Sequence, residues 1–375
     1  MKTKHDLIRA LICIMIFVLT FAGSFHILGV QAQGSVAATI TFPAGTVPTA
    51  VAYDPSKNEV FVANGNDSVS VIQDSNNAII ANIPLFLPAY DIAYDSGTGE
   101  LFVTSSEGAV SVVSDSTDTV VANITLGTGA GTGAYCATYD SGKGEIFVTG
   151  LDNNVYVISD TTNTVVATIP MGIMPFGLTY DSGKGEVYVA VEGSFNTGTG
   201  GMVSVIADDT NTVVANVSVG GSGIAYDSAK SELFVTGVAN TVSVISDSTN
   251  TVVKSITARG LPGGFIAYDS GKGLMYVADH LGGGVFVISA SSDTLLEPFV
   301  ATGQGPWGLC YDSGRGEIFV ANPIGNTVSV ISDSSSTSSS TTTPEFGTAS
   351  LTLIVIAIVA ATTYIIASKA RKTRK

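Results

Sequence analysis

Carboxylates and aromatic rings are the side chains of this sequence that could do chemistry, because histidine is scarce. Of the three histidines, His5 and His26 lie in an apolar N-terminal segment, and only His280 remains. One histidine cannot build a histidine-based metal site, and no motif places a nucleophile beside it for a serine-type triad. Catalysis by carboxylates alone stays open, with Asp91 as the nearest candidate, but we predict no enzyme because no catalytic constellation is recognisable.

Aromatic residues occupy one position in four copies of a repeated segment, two residues before an apolar position of the first predicted strand. They are Tyr90, Tyr135, Phe176 and Trp307, and the other copies have Thr49, Ser222 and Gly264. Aromatic rings around a concave mouth suit ligand or partner binding. The alternative is that they pack between repeats and plug a channel. Asp91 and Arg259 are the nearest charged residues that could orient a ligand.

The repeat that carries these residues is the strongest signal in the chain. The pair Tyr-Asp recurs at Tyr53, Tyr94, Tyr139, Tyr180, Tyr226, Tyr268 and Tyr311. Each complete copy has four short β-branched runs bounded by turn residues, which predicts a four-stranded antiparallel sheet. Seven such sheets at intervals of about 40 residues predict an all-β, seven-bladed β-propeller.

The ends of the repeat array predict how the ring closes. The seventh copy stops after its third strand, and residues 36–42 match the outer strand that it lacks. The N-terminal strand is therefore expected to complete blade seven, which removes unpaired edges. Strand direction then brings the chain out of the ring at its bottom end, so the top end is expected to face away from the cell.

The second predicted strand reads Glu-Ile-Phe-Val-Ala-Asn at 317–322 and Glu-Leu-Phe-Val-Thr-Gly at 232–237. It resembles the YVTN-type β-propeller repeat family of archaeal surface-layer-like proteins. The resemblance covers about residues 36–332. It implies the propeller fold and a place on the cell surface, and it leaves function open because propellers host many unrelated activities.

The N-terminal segment reads as a signal peptide over residues 1–32. Lys2, Lys4 and Arg9 precede an apolar run, and Val30-Gln31-Ala32 offers small residues at cleavage spacing. An uncleaved anchor is the alternative. The propeller is expected at 33–332, with a Ser/Thr-rich stalk at 333–346.

The C-terminus carries a second membrane signal. Residues 347–368 have no charged side chain, are long enough to cross a bilayer, and precede a basic tail at 369–375. The junction Pro344-Glu345-Phe346-Gly347 resembles a PEF-type archaeosortase sorting signal. That resemblance implies cleavage and a lipid anchor; a plain transmembrane helix is the alternative. Either places the propeller on the outer face of the cell membrane.

Charge is concentrated in the bottom turns. Residues 33–346 carry 8 Lys and Arg against 30 Asp and Glu, a net of −22, which argues against nucleic acid as a partner. Aspartate in these turns caps backbone groups; weak Ca²⁺ or Mg²⁺ binding is the alternative, and no cofactor is expected. Cys136 and Cys310 fall in repeats three and seven and are expected to be buried free thiols.

Glycosylation sequons begin at Asn66, Asn123 and Asn216, although chance matches are frequent. The sequence thus favours a binding or structural module of the cell envelope, whose partner is an envelope protein or a glycan. An extracellular enzyme, lactonase- or lyase-like, that uses the central channel is the alternative. A lattice tile without a ligand is a third hypothesis.

Overall fold

The computed structural model describes residues 34–127, 133–172, 174–193, 200–237, 240–258 and 264–332. These residues form 28 β-strands in seven four-stranded sheets, and every strand pair is antiparallel. The described residues contain no helix that is long and apolar enough to cross a membrane. The predicted fold class is confirmed. The predicted signal peptide, stalk, membrane segment, basic tail and sorting motif lie outside the described residues.

The strands follow one another around the ring. Blades one to four contain β2 (Pro48–Asp54), β3 (Glu59–Asn64), β4 (Ser68–Gln73), β5 (Ala78–Pro84); β6 (Ile92–Asp95), β7 (Glu100–Ser105), β8 (Ala109–Ser114), β9 (Thr119–Thr125); β10 (Ala134–Asp140), β11 (Glu145–Gly150), β12 (Asn154–Ser159), β13 (Thr164–Pro170); β14 (Pro175–Asp181), β15 (Glu186–Val191), β16 (Met202–Ala207), β17 (Thr212–Val217). Blades five to seven contain β18 (Ile224–Asp227), β19 (Glu232–Gly237), β20 (Thr241–Ser246), β21 (Thr251–Thr257); β22 (Ile266–Asp269), β23 (Leu274–Asp279), β24 (Gly284–Ser289), β25 (Thr294–Ala301); β26 (Leu309–Asp312), β27 (Glu317–Asn322), β28 (Thr327–Ser332) and β1 (Ser35–Thr41).

Ring closure follows the prediction. Blade seven has the strand order β1-β28-β27-β26, so the N-terminal strand forms its outer edge. β1 pairs with β28 from Ser35 opposite Ser332 to Thr41 opposite Thr327. The described chain therefore ends at the bottom of a third strand.

The core lies between neighbouring blades, because strands two and three of each blade are covered on both faces. Each second strand places one fully buried aromatic ring at the same position: Phe61, Phe102, Phe147, Tyr188, Phe234, Tyr276 and Phe319. Outer strands instead alternate, as in β9, where the exposed residues point to solvent. The continuous apolar runs of the sequence form the second and third strands, and the alternating runs form the outer strands.

The repeated Tyr-Asp pair joins each blade to the one before it. The Tyr139 phenol lies against Asp95. Burial is the larger cause that raises the pKa of Tyr139, and the Asp95 carboxylate is the second. The same arrangement joins Tyr94 to Asp54, Tyr180 to Asp140, Tyr226 to Asp181, Tyr268 to Asp227 and Tyr53 to Asp312. A Cβ on Gly142 would lie 2.5 Å from the Tyr180 oxygen, so a side chain there would crowd this phenol, although Ser56 and Ala229 occupy the equivalent position in blades one and five.

Lysines in the bottom turns also connect blades. Lys57 donates to the carbonyl of Asp115 in blade two, and Lys184 donates to the carbonyl of Asp247 in blade five. Lys230 lies 2.9 Å from Asp293 in blade six. The charged bottom end thus has a structural role that accounts for its composition.

Candidate functional site

The top end of the ring carries the residues singled out by the sequence. Each first strand starts at this end. The loops from second to third strands and the connections between blades lie at the same end. The bottom end is occupied by the Tyr-Asp contacts and the lysine links. The candidate site is therefore built from the top end and the channel beneath it.

The predicted aromatic residues meet over the channel. Ring centroids of Tyr90 and Tyr135 are 4.8 Å apart, and those of Tyr135 and Phe176 are 5.0 Å apart. Phe176 of blade four also lies 6.3 Å from Trp307 of blade seven. Because these blades are not neighbours, the rings pack across the mouth instead of lining an open rim. With Phe265, they form what we call the aromatic cap.

Threonines at the ends of second strands fix two positions of the cap. The Thr104 hydroxyl donates to the carbonyl of Tyr135 in the next blade at 2.5 Å. The Thr149 hydroxyl donates to the carbonyl of Phe176 at 2.8 Å. Each bond crosses a blade interface, so the positions of these rings depend on the rigid sheets and not on loops.

A cavity of about 290 Å³ lies within the channel. Its lining comes from the first strands, with Val51, Ile92, Leu178, Ile224, Ile266 and Leu309 among the apolar residues. Phe265 of the aromatic cap lines it, as does Cys136. Asp91 is the only charged residue among the described lining residues.

Asp91 is held in place by the neighbouring blade. Its Oδ2 accepts a hydrogen bond of 3.0 Å from the Ala137 backbone N–H, and its own N–H donates to Thr104 Oγ1. Burial raises the pKa of Asp91 to about 6, against the lowering effect of the Ala137 and Ile92 amides. A carboxyl with this pKa can exchange a proton near neutral pH.

Three members of the site were missed by the sequence analysis. Phe265 packs 6.2 Å from Phe176 and 5.7 Å from Trp307, although Gly264 holds the aligned aromatic position. The His280 ring lies 5.1 Å from Trp307, so it is half-buried against the cap. Burial raises the pKa of Glu192, and its charge acts on Tyr90 and Tyr135. Comparing neighbouring positions in the repeat would have found Phe265.

An exposed apolar patch adjoins the cap. Leu281 is 73% exposed and Ile324 is 63% exposed, both in loops at the top end. A Cβ on Gly305 would meet the Ile324 side chain at 2.7 Å and the His280 ring at 3.2 Å. Ile324, His280 and Trp307 are therefore contiguous, and we call Trp307, His280, Leu281 and Ile324 the top patch.

The sequence also singled out possible metal ligands and thiols. In the described ranges, no group of three or more His, Cys, Asp or Glu side chains could hold a metal ion. Cys136 is buried and Cys310 is half-buried, and both are free thiols as predicted. Arg259, the second charged candidate, lies outside the described residues.

Two of the three predicted glycosylation sites share one geometry on outer strands. Asn123 Oδ1 accepts a hydrogen bond from Ser111 at 2.8 Å, and Asn216 Oδ1 accepts one from Ser204 at 2.7 Å. Both side chains are exposed, as is Asn66 in a top loop. The oxygen of each outer-strand amide is thus engaged, which leaves its nitrogen for a glycan.

We expect glycans on Asn123 and Asn216 of the native protein and none on Asn82. Asn82 is a matched control because it is exposed and accepts from Ser70 at 3.1 Å, but its third residue is Pro84. Mass spectrometry of peptides from the native protein checks this. Fully unmodified Asn123 and Asn216 peptides would contradict the prediction.

Comparison with known proteins shows the fold and nothing finer. No family model and no curated protein matches the chain. Hydrazine synthase of Kuenenia stuttgartiensis superposes with a TM-score of 0.67 at 17% identity, over 80% of this chain and 99% of that chain. The β-propeller domain of Myceliophteria thermophila Cps50 (Swd1) gives a TM-score of 0.67 at 8% identity, over the same 80% and 99%. At such identities the likeness extends to architecture alone, and the chain is a seven-bladed β-propeller by fold.

Proposed function

We propose that this chain is a binding or structural module of the cell envelope, tethered to the outer face of the cell membrane with its top end outward. The top patch is the observation that carries this proposal. It joins exposed aliphatic side chains to a half-buried tryptophan and histidine, a composition typical of the centre of protein interfaces. A cell-envelope protein or glycan is the partner class.

Chain direction supports the outward orientation. The described chain ends at Ser332 on the bottom end, opposite the aromatic cap. The apolar segment and basic tail follow within about forty residues of sequence. In this proposal the chain is tethered through the segment that follows Ser332, and the top patch stays accessible to other molecules. The YVTN-type resemblance and the PEF-type sorting signal belong to the same proposal.

Cross-linking on intact cells tests the top patch. We would compare the wild-type protein with a Leu281→Ser, Ile324→Ser variant and with a Val166→Ser, Val253→Ser variant. The two rim valines are each 52% exposed, so the second variant removes a smaller but substantial apolar surface from another face. A partner captured by the wild type and by the rim variant, but lost from the top variant, supports the proposal.

Two outcomes would count against it. Equal cross-linking by all three proteins would show that the top patch binds nothing on the cell. Loss of the cross-linked partner in both variants would mean that general surface hydrophobicity, and not the top patch, causes the capture. Thermal unfolding of each variant must match the wild type, which is expected because substitutions at exposed positions usually change stability little.

An extracellular enzyme, lactonase- or lyase-like, is the second candidate, favoured by Asp91. A carboxyl with a pKa of about 6 in a cavity could act as a general base. If a turnover is found, it should be lost in Asp91→Asn. Turnover that persists in this variant would remove Asp91 from the chemistry.

A further inference from the structure

We propose that the channel cavity beneath the aromatic cap binds a small organic cation, with its positive group held against Asp91. This site is separate from the top patch. It lies inside the ring, and its lining residues do not include Leu281 or Ile324. The proposal therefore does not depend on what the outer surface binds.

Charge selects the sign of the ligand. Asp91 is the only charged residue among the described residues that line the cavity, and the atoms that stabilise its carboxylate are backbone amides. A carboxylate removed from water is costly unless it is paired. A ligand with a positive group supplies that pairing, whereas an anion would be repelled.

Size and lining select an organic ligand over a bare metal ion. A volume of about 290 Å³ is at the lower end of the range for ligand pockets and far exceeds what a single ion occupies. A hard cation also requires six or more oxygen ligands, and Asp91 is the only carboxylate among the described lining residues. Apolar substituents around a positive nitrogen can contact the aliphatic members of the lining, such as Ile92 and Leu178.

The aromatic cap adds a second preference for a cation. Phe265 lines the cavity opposite Asp91, since it belongs to blade six and Asp91 precedes the first strand of blade two. Aromatic faces attract alkylammonium groups by their quadrupole, and the attraction grows when water is excluded. Ammonium compounds with small alkyl groups satisfy both sides of the cavity.

Fluorescence of the full-length chain provides the test, because Trp307 is its only tryptophan and belongs to the cap. Tetramethylammonium is the probe, and tert-butanol is the neutral probe of similar shape. We expect tetramethylammonium to change the Trp307 emission with saturation and tert-butanol to have no such effect. Isothermal calorimetry on the same samples gives the dissociation constant.

Variants and pH make the assignment specific. Asp91→Asn should weaken tetramethylammonium binding by about 30-fold or more, because a buried charge loses its partner. Asp209→Asn, which removes an exposed charge at the bottom end, should leave binding unchanged. Tetramethylammonium does not titrate, so its affinity for the wild type should fall about tenfold between pH 7 and pH 5 as Asp91 takes up a proton.

Several results would overturn the proposal. These are no saturable response to tetramethylammonium, equal binding of tert-butanol, or equal affinity in Asp91→Asn. If Asp91→Asn does not fold, the pH dependence of tetramethylammonium affinity in the wild type decides. An affinity that does not change between pH 7 and pH 5 rejects the site. None of these outcomes bears on cross-linking through the top patch, so the two proposals fail separately.

Discussion

Replacing Asn326 with alanine is expected to lower the free energy of unfolding by about 3 kcal/mol, because this side chain clasps the two ends of the ring together. Asn326 Nδ2 donates to the carbonyls of Phe42 and Pro43, both at 2.8 Å. Its Oδ1 accepts from the Val47 N–H at 2.9 Å. These bonds join residues about 280 positions apart in sequence, at the point where the ring closes.

The clasp also holds a strained residue. Val47 has a φ of +56°, which is unusual for a β-branched side chain. The Val47 N–H donates to Asn326 Oδ1, and the Gly65 N–H donates to the Val47 carbonyl at 2.9 Å. Without Asn326, this segment loses one of the two bonds that keep it in the left-handed region. The end of β1 should then separate from blade seven more easily.

Asn153→Ala is the matched control, since Asn153 also has a positive φ, +68°, in the corresponding loop of blade three. Both variants place alanine in a left-handed conformation, which costs about 1–2 kcal/mol. Only Asn326→Ala also removes the cross-ring hydrogen bonds. Equilibrium unfolding in denaturant should separate the two variants by about 2 kcal/mol. Equal losses would show that the clasp contributes nothing beyond backbone conformation.

The sequence predicts the ring better than the mouth of its channel. Seven Tyr-Asp pairs and a missing fourth strand were enough to predict seven blades and closure by β1, because each repeat imposes the same local structure. The structure explains the pair itself: the phenol of one blade lies against the aspartate carboxylate in the turn of the preceding blade. That contact lies between copies, so no single copy indicates it.

The cap could be anticipated only in part. Equivalent positions identified Tyr90, Tyr135, Phe176 and Trp307, and these rings do come together. Whether they leave the mouth open depends on how far each ring reaches across the channel. Thr49, Ser222 and Gly264 are small, so the other blades leave room for rings to cross. Such complementarity between distant blades has no signature in a linear repeat. Phe265 is a different case, because it lies one position after the aligned Gly264 and neighbouring positions of the repeat indicate it.

Acidification from about pH 7 to about pH 4.5 is expected to raise the thermal midpoint by roughly 5 °C. Burial raises the pKa of carboxyl groups at the bottom blade interfaces, including Asp115, Asp208, Asp247 and Asp312. A neighbouring carboxylate adds to the effect: Asp54 raises the pKa of Asp115, and Asp140 raises that of Asp208. Asp91 in the channel has a pKa of about 6.

The direction follows from proton binding. An acid whose pKa is higher in the folded chain binds its proton more tightly there than in the unfolded chain. The stability it contributes is complete below the unfolded pKa of about 4 and is lost as the pH rises through the folded value. Repulsion among the excess carboxylates, net −22 over residues 33–346, also weakens on acidification. Both effects favour the folded ring between about pH 4 and pH 6.

Asp208→Asn tests whether the interface carboxyl groups cause this dependence. Asparagine keeps an acceptor for the Tyr180 hydroxyl, which lies 3.3 Å from Asp208 Oδ2, but it cannot titrate. We expect a smaller rise of the thermal midpoint on acidification in this variant. Asp209→Asn removes the same charge at the exposed next position and should keep the wild-type slope. A midpoint that falls steadily from pH 7 to pH 4.5 would instead mean that the interface carboxylates are stabilised as anions, and that the lysine links outweigh burial at the bottom of the ring.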